Sequence, residues 1–211
     1  MSLRGARLEA TRAELAGAGE ANLLQRILLV TDGTVTHMLE AYAREPIRVV
    51  KLHQSIEPCT DDLPDLELDR GHDVMRREVL LQGSRSGHIF IHAVSRIVPD
   101  RLDDALRRGL EESTKPIGLL LEESRTETFR EILTSSREPA GSSALHFGID
   151  PAAALISRSY RVISGGRPIM LITERFPAAS LPIGADETID GAPDIGGTLE
   201  VDGRPADGGA D

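Results

Sequence analysis

Residues 154–164, ALISRSYRVIS, and 167–177, RPIMLITERFP, are joined through Gly165 and Gly166 alone. That spacing constrains the fold more than any other feature of the chain. Two glycines between β-rich runs make a tight hairpin turn, so the runs must pair antiparallel. A second pair stands upstream: VMRREVLLQG at 74–83, the turn SRSG, and HIFIHAVSRIVP at 88–99. IRVVKLHQSI at 47–56, rich in β-branched residues, is one more strand.

Helical spacing fills the gaps. Val35, Met38, Leu39 and Tyr42 share a face after the turn TDGT, with Thr34 or Thr36 placed to cap. LLQRILLV at 23–30 leads into that turn, and ARLEATRAELAG at 6–17 reads as a short alanine-rich helix. Asp100 is expected to cap a helix with Leu102, Ala105, Leu106 and Leu110 on one face; further helices are expected near TKPIGLLLEES and TETFREIL. Strands interrupted by grouped helices predict an α+β fold, an antiparallel β-sheet flanked by helices on one side, and not a parallel doubly wound one. Residues 57–73 form a long, acid-rich connection of a length uncommon unless it has a function, and a lid is one such role.

At 211 residues and 40% hydrophobic content the chain suits one compact domain. The expected division is an N-terminal extension at 1–21, a body at 22–178, and an acidic Gly/Pro-rich tail at 179–211 whose composition cannot build a core. The net charge of −10 is concentrated in that tail, which holds eight acids against Arg204. The body is therefore close to neutral, without a basic stripe for nucleic acid. Aromatic content of 3% argues against base-stacking platforms. The lone Cys59 fits a reducing compartment. Neither a signal-peptide run nor a stretch of membrane-spanning length is present in the sequence, so a soluble cytoplasmic protein is expected.

Glu174 is the anomaly. Alternation puts Met170, Ile172, Glu174 and Phe176 on one strand face, and Ile169, Leu171, Thr173 and Arg175 on the other. Both faces are largely apolar, and a buried carboxylate without partners costs several kcal/mol. Arg77 sits likewise in an apolar row with Met75, Val79 and Leu81. Two readings stay open: a structural ion pair or solvated strand ends, or a pocket where Arg77 takes a ligand carboxylate and Glu174 a ligand hydroxyl. His88 and His92 share a strand face and could join His72 at a metal, but the spacing matches no zinc pattern, and no metal is expected. Neither a nucleophile elbow nor a serine–histidine–aspartate order is legible.

REVLL at 77–81, KPIG at 115–118 followed by TETF, DGTVT at 32–36 and SYRVISGGRPIMLITERF at 159–176 together resemble the chorismate pyruvate-lyase family, in particular its actinobacterial 4-hydroxybenzoate-forming type. The likeness spans residues 22–177. It implies a chorismate lyase-like fold enclosing an internal ligand cavity, with no cofactor and a small ring acid as the partner. It further implies that Arg77 holds the ring carboxylate, that Glu174 contacts the 4-hydroxyl, and that Val35, Thr36, Ile117 and Gly118 close the pocket. One departure stands out: the enterobacterial pattern has a second arginine where this chain has Ser95, and Arg96 faces the other way. Arg161 or Arg48 is the expected substitute for the second carboxylate. The expected activity is elimination of pyruvate from chorismate. Its rivals are a family member recruited to secondary metabolism, acting on another ring acid, and a non-catalytic small-molecule sensor.

Overall fold

The computed structural model describes residues 21–179. The expected helix at 6–17 and the segment 180–211 lie outside them. Six strands form one sheet: β1 (Ile47–Pro58), β2 (Asp73–Gly83), β3 (Ile89–Ile97), β4 (Phe129–Pro139), β5 (Ala154–Ser164) and β6 (Arg167–Pro177). Their order is β1, β2, β3, β6, β5, β4, and every neighbouring pair is antiparallel. The two expected hairpins are β2–β3 and β5–β6. Gly165 and Gly166 both take positive φ, 56° and 77°, as a two-residue hairpin turn of the primed type requires. β6 docks beside β3, so these strands form the centre and β1 and β4 the edges.

Register aligns two rows across one face. Arg77 pairs with Ser95, Ser95 with Ile172, and Ile172 with Tyr160. One two-residue step along, Val79 pairs with Ala93, Ala93 with Glu174, and Glu174 with Arg158. Helices α1 (Leu23–Val30) and α2 (Val35–Ala43) cover one end of this face, where Leu28, Leu29, Val35 and Leu39 pack on Val49, Val79, Leu81 and Phe176. Helices α3 (Asp104–Glu112) and α4 (Ile117–Glu123) cover the other end, where Leu106, Leu110, Leu120 and Leu121 pack on Met75, Ile97, Val162 and Met170. Each such leucine contributes roughly 1.5–3 kcal/mol by leaving water. The polar residues of the two rows lie between these apolar clusters.

Local chemistry accounts for the helix ends. Asn22 caps α1 in a reciprocal box, its Oδ1 accepting from the Gln25 amide at 2.9 Å while Gln25 Oε1 accepts from the Asn22 amide at 2.8 Å. The Gln25 amide group then donates to the carbonyls of Pro177 and Ala178, tying α1 to the end of β6. The expected cap Asp100 lies instead in a single 3-10 turn, Pro99–Arg101, and Asp103 caps α3 by accepting from the Leu106 amide at 2.7 Å.

Two expectations are corrected. The segment TETFREIL does not form a helix, because Phe129 onward pairs with β5 from Ile163 to Ala154, and an edge ladder outweighs local helical preference. The connection 57–73 is no lid over the helix-covered face. Leu66 and Leu68 bury against Val74, Val98 and Leu171 on the opposite face of the sheet, and Arg101 pins the loop by donating to Leu66 O and Pro168 O, both at 2.6 Å. The one-turn helix α5 (Ala144–Phe147) packs by that same face, with Ala140 and Leu155.

Candidate active site

A cavity of ≈ 60 Å³ opens between the two apolar clusters, several times the space one water centre needs. Arg77 enters it from β2, Ser95 from β3, Glu174 from β6 and Tyr160 from β5, with apolar walls from Val49, Val79, Leu81, Val162 and Ile172. Arg77 and Glu174 thus share one face of the sheet. Two strand spacings and one two-residue step separate their Cα atoms by about 12 Å.

Arg77 is 1% exposed. Its Nη2 donates to Lys115 O at 3.0 Å, its Nε has no hydrogen-bond partner, and among the described residues no acid pairs with it. Burial pushes its pKa below the usual guanidinium value, yet an arginine stays cationic in any protein setting. A buried cation without a compensating acid, facing a cavity, is chemically suited to pair with an anion. Lys51, whose own pKa burial and the field of Arg77 hold down, adds to the positive character of this side.

Glu174 is satisfied within the sheet. Arg158 Nε donates to Oε2 at 2.8 Å and Tyr160 Oη donates to Oε1 at 3.0 Å. Arg158 also donates to Thr31 O at 3.0 Å and lies 5.0 Å from the Tyr160 ring centre. Burial first, then the adjacent Glu174, drives the Tyr160 phenol far above its ordinary pKa, so it remains a donor. Each oxygen of Glu174 still has lone-pair capacity for one hydroxyl in the cavity.

The cap of the cavity is built from the first residues of two helices. Val35 and Thr36 open α2, and Thr34 supplies no side-chain cap, so the positive end of the helix borders the cavity. Ile117 and Gly118 open α4 and line the same space. A Cβ on Gly118 would stand 2.7 Å from Thr34 Cγ2, so only glycine permits this approach. Thr34 Oγ1 then donates to Glu122 Oε1 at 2.6 Å, bolting the start of α2 to α4.

The expected residues Arg77, Glu174, Val35, Thr36, Ile117 and Gly118 therefore meet at one cavity. Arg161 does not join them: it lies on the opposite side of β5 from Tyr160 and Val162, and its Nε donates to Glu131 Oε2 at 2.6 Å. Arg48 is exposed and held by Gln82, and Arg96 lines a groove on the far face, as alternation from Ser95 requires. Two arginines that sequence reasoning missed do reach the cavity region, Arg158 behind Glu174 and Arg130 from β4. Arg158 could have been found by following the alternation from Tyr160; Arg130 was hidden by the expected helix.

On the far face Glu78, His92 and His146 bring donor atoms within 4.8 Å of one another. His92 is a satisfied histidine there, its two ring nitrogens contacting Ser143 Oγ at 3.2 Å and Glu78 Oε1 at 2.9 Å. The trio His72, His88 and His92 does not assemble: His72 contacts Asp69 O, and His88 sits edge-on to Phe90.

Comparison with known proteins places the chain in a family. Residues 29–181 match the family described as chorismate pyruvate-lyase, Rv2949c-like. The chorismate pyruvate-lyase of Mycobacterium leprae is 34% identical over 152 residues, covering 72% of each chain. That of Mycobacterium tuberculosis is 35% identical over 156 residues, covering 72% of this chain and 78% of the relative. Among solved structures, the effector domain of PhnF from Mycobacterium smegmatis superposes with a TM-score of 0.54 at 16% identity, over 69% of this chain and 88% of that one. A GntR-family transcriptional regulator from Bacillus cereus gives 0.51 at 10% identity, over 67% and 99%. These last two likenesses concern the fold alone.

Proposed function

The chain belongs to the Rv2949c-like chorismate pyruvate-lyase family, and from that premise we propose that it eliminates pyruvate from chorismate to form 4-hydroxybenzoate. Chorismate carries a ring carboxylate, an enolpyruvyl ether, and, on the carbon beside the ether, a hydroxyl and a hydrogen. Breaking the ring carbon–oxygen bond and removing that hydrogen makes the ring aromatic. The departing enolpyruvate gains a proton at its methylene carbon and becomes pyruvate, so the atoms balance without a co-reactant.

Aromatisation drives the reaction, and the protein's task is to orient the side chain and offset charge. Arg77 holds the ring carboxylate, and the positive end of α2 borders the same cavity. Glu174, kept in place by Arg158 and Tyr160, accepts from the 4-hydroxyl and so fixes the carbon that loses its hydrogen. Val35, Thr36, Ile117 and Gly118 close the chamber. The observation that carries this assignment is the buried guanidinium of Arg77, left without an acid among the described residues while Glu174 has its own arginine.

Among the described residues no helix is long and apolar enough to cross a membrane. A cytoplasmic enzyme of small molecules, with no nucleic-acid partner, fits the single free cysteine and the lack of a basic stripe. The test is to mix purified protein with chorismate, without added metal, and follow both products. Equal amounts of pyruvate and 4-hydroxybenzoate are expected. Binding without turnover would indicate a sensor, and neither binding nor turnover a family member recruited to another ring acid.

A further inference from the structure

Chorismate is a dianion, and on the lyase reading its departing half carries a carboxylate of its own. Ser95, in the row with Arg77, is neutral, Arg158 is engaged by Glu174, and Arg161 lies outside the cavity. We infer that Arg130 binds the enolpyruvyl carboxylate, at the side of the cavity from which pyruvate departs.

Arg130 pairs with Val162 across β4–β5 and lines the cavity with Val162 and Tyr160. Its Nη1 donates to the carbonyls of Asp32 and Gly33, which fixes the guanidinium against the loop before α2. Its Nε is buried without a hydrogen-bond partner, and among the described residues no acid pairs with it. Arg77 and Arg130 are thus two cavity-lining guanidiniums, each with an unused Nε donor and no carboxylate partner among the described residues. Chorismate presents two carboxylates, one on the ring and one on the arm that departs, and an arginine held from one side is preorganised to bind through the other.

The positions of the two arginines also set a direction. Gly33, Thr34, Gly118, Leu121 and Arg130 line both the cavity and an outer groove of ≈ 370 Å³, whereas Arg77 borders only the cavity. Arg130 therefore stands in the wall between inside and outside. With the ring acid on Arg77, the enolpyruvyl arm points at that wall. Once the carbon–oxygen bond breaks, the carboxylate on Arg130 belongs to pyruvate, the smaller fragment and the one nearer the exit. 4-Hydroxybenzoate keeps its hold on Arg77 and leaves second.

The two ligands give the test, because 4-hydroxybenzoate lacks the carboxylate assigned to Arg130. In the full chain, Arg130→Gln should raise KM for chorismate by about 10- to 100-fold, the range of a lost charge-assisted pair, while the Kd of 4-hydroxybenzoate moves less than about 3-fold. Arg77→Met should weaken both. Equal weakening of both ligands by Arg130→Gln, or an unchanged KM for chorismate, overturns the assignment. Should Arg130→Gln fail to fold, Arg130→Lys keeps a cation on the Asp32 and Gly33 carbonyls and must show the same split on a smaller scale. A wild-type protein that does not turn chorismate over would refute the lyase reading itself. An active wild type whose Arg130 variants handle chorismate normally would refute this inference only.

Discussion

Arg158 donates its Nε to Glu174 Oε2 at 2.8 Å across the β5–β6 pair, and both side chains are nearly closed to solvent. The glutamate that looked anomalous on an oily strand is thus neutralised by its neighbour strand. Arg77, two strands away, has no such partner among the described residues. The division gives one end of the cavity a fixed acceptor and the other an open cation.

Removing Arg158 should therefore be costly to the fold as well as to activity. Arg158→Met strands a buried carboxylate, an arrangement that typically loses 3–5 kcal/mol, roughly the scale to expect here in urea denaturation. Combining it with Glu174→Gln should recover most of that loss. A double variant no more stable than Arg158→Met would show that the pair is not the stabilising unit.

Arg77 predicts the opposite balance. Arg77→Met removes an unpaired buried charge and leaves a side chain of similar length, so unfolding free energy should hold steady or rise by about 1 kcal/mol. The catalytic efficiency, kcat/KM, should fall by about 100-fold or more. A variant that loses stability and activity together would mark Arg77 as structural.

Gly118 tests the closure of the chamber. Gly118→Ala places a methyl 2.7 Å from Thr34 Cγ2 and must part α4 from the loop before α2. Affinity for 4-hydroxybenzoate should drop by about 10-fold, with a stability cost of about 1–3 kcal/mol for overpacking. Thr34→Ser, which deletes the obstructing methyl and keeps the hydroxyl for Glu122, should restore much of both. Failure of the second change to rescue the first would place the strain elsewhere.

The far face supplies a pH dependence. Burial, partly offset by the Glu78 hydrogen bond, holds His92 below its ordinary pKa. The unfolded chain then binds a proton more readily than the folded one, so stability falls as pH drops below about 6.5 toward the lower folded value. Denaturation curves collected between pH 7 and pH 5 should show this slope reduced in His92→Gln. An identical slope in the variant would assign the loss to other groups.

The arrangement of the candidate site was legible where strand alternation carried it. Arg77 and Glu174 each sit in an apolar row whose period of two is readable from sequence, and the register of β2, β3 and β6 then puts both rows on one face. Arg161, expected to stand in for the arginine missing at Ser95, faces away because its strand neighbour Tyr160 faces the cavity. Arg130 stayed hidden because Phe129, Ile132 and Leu133 fit a helical spacing as readily as an edge strand, and only pairing with β5 resolves the two.

The amino-acid pattern by itself determined the hairpins, the helix that follows residue 34, the α+β class and the row membership of Arg77 and Glu174, since turn chemistry and side-chain period are local properties. Only the tertiary structure decided that β6 docks beside β3, that Arg158 rather than Arg77 neutralises Glu174, and that Arg130 reaches the cavity. Those facts depend on register between segments distant in sequence, where burial and hydrogen bonding across strands outweigh any local preference.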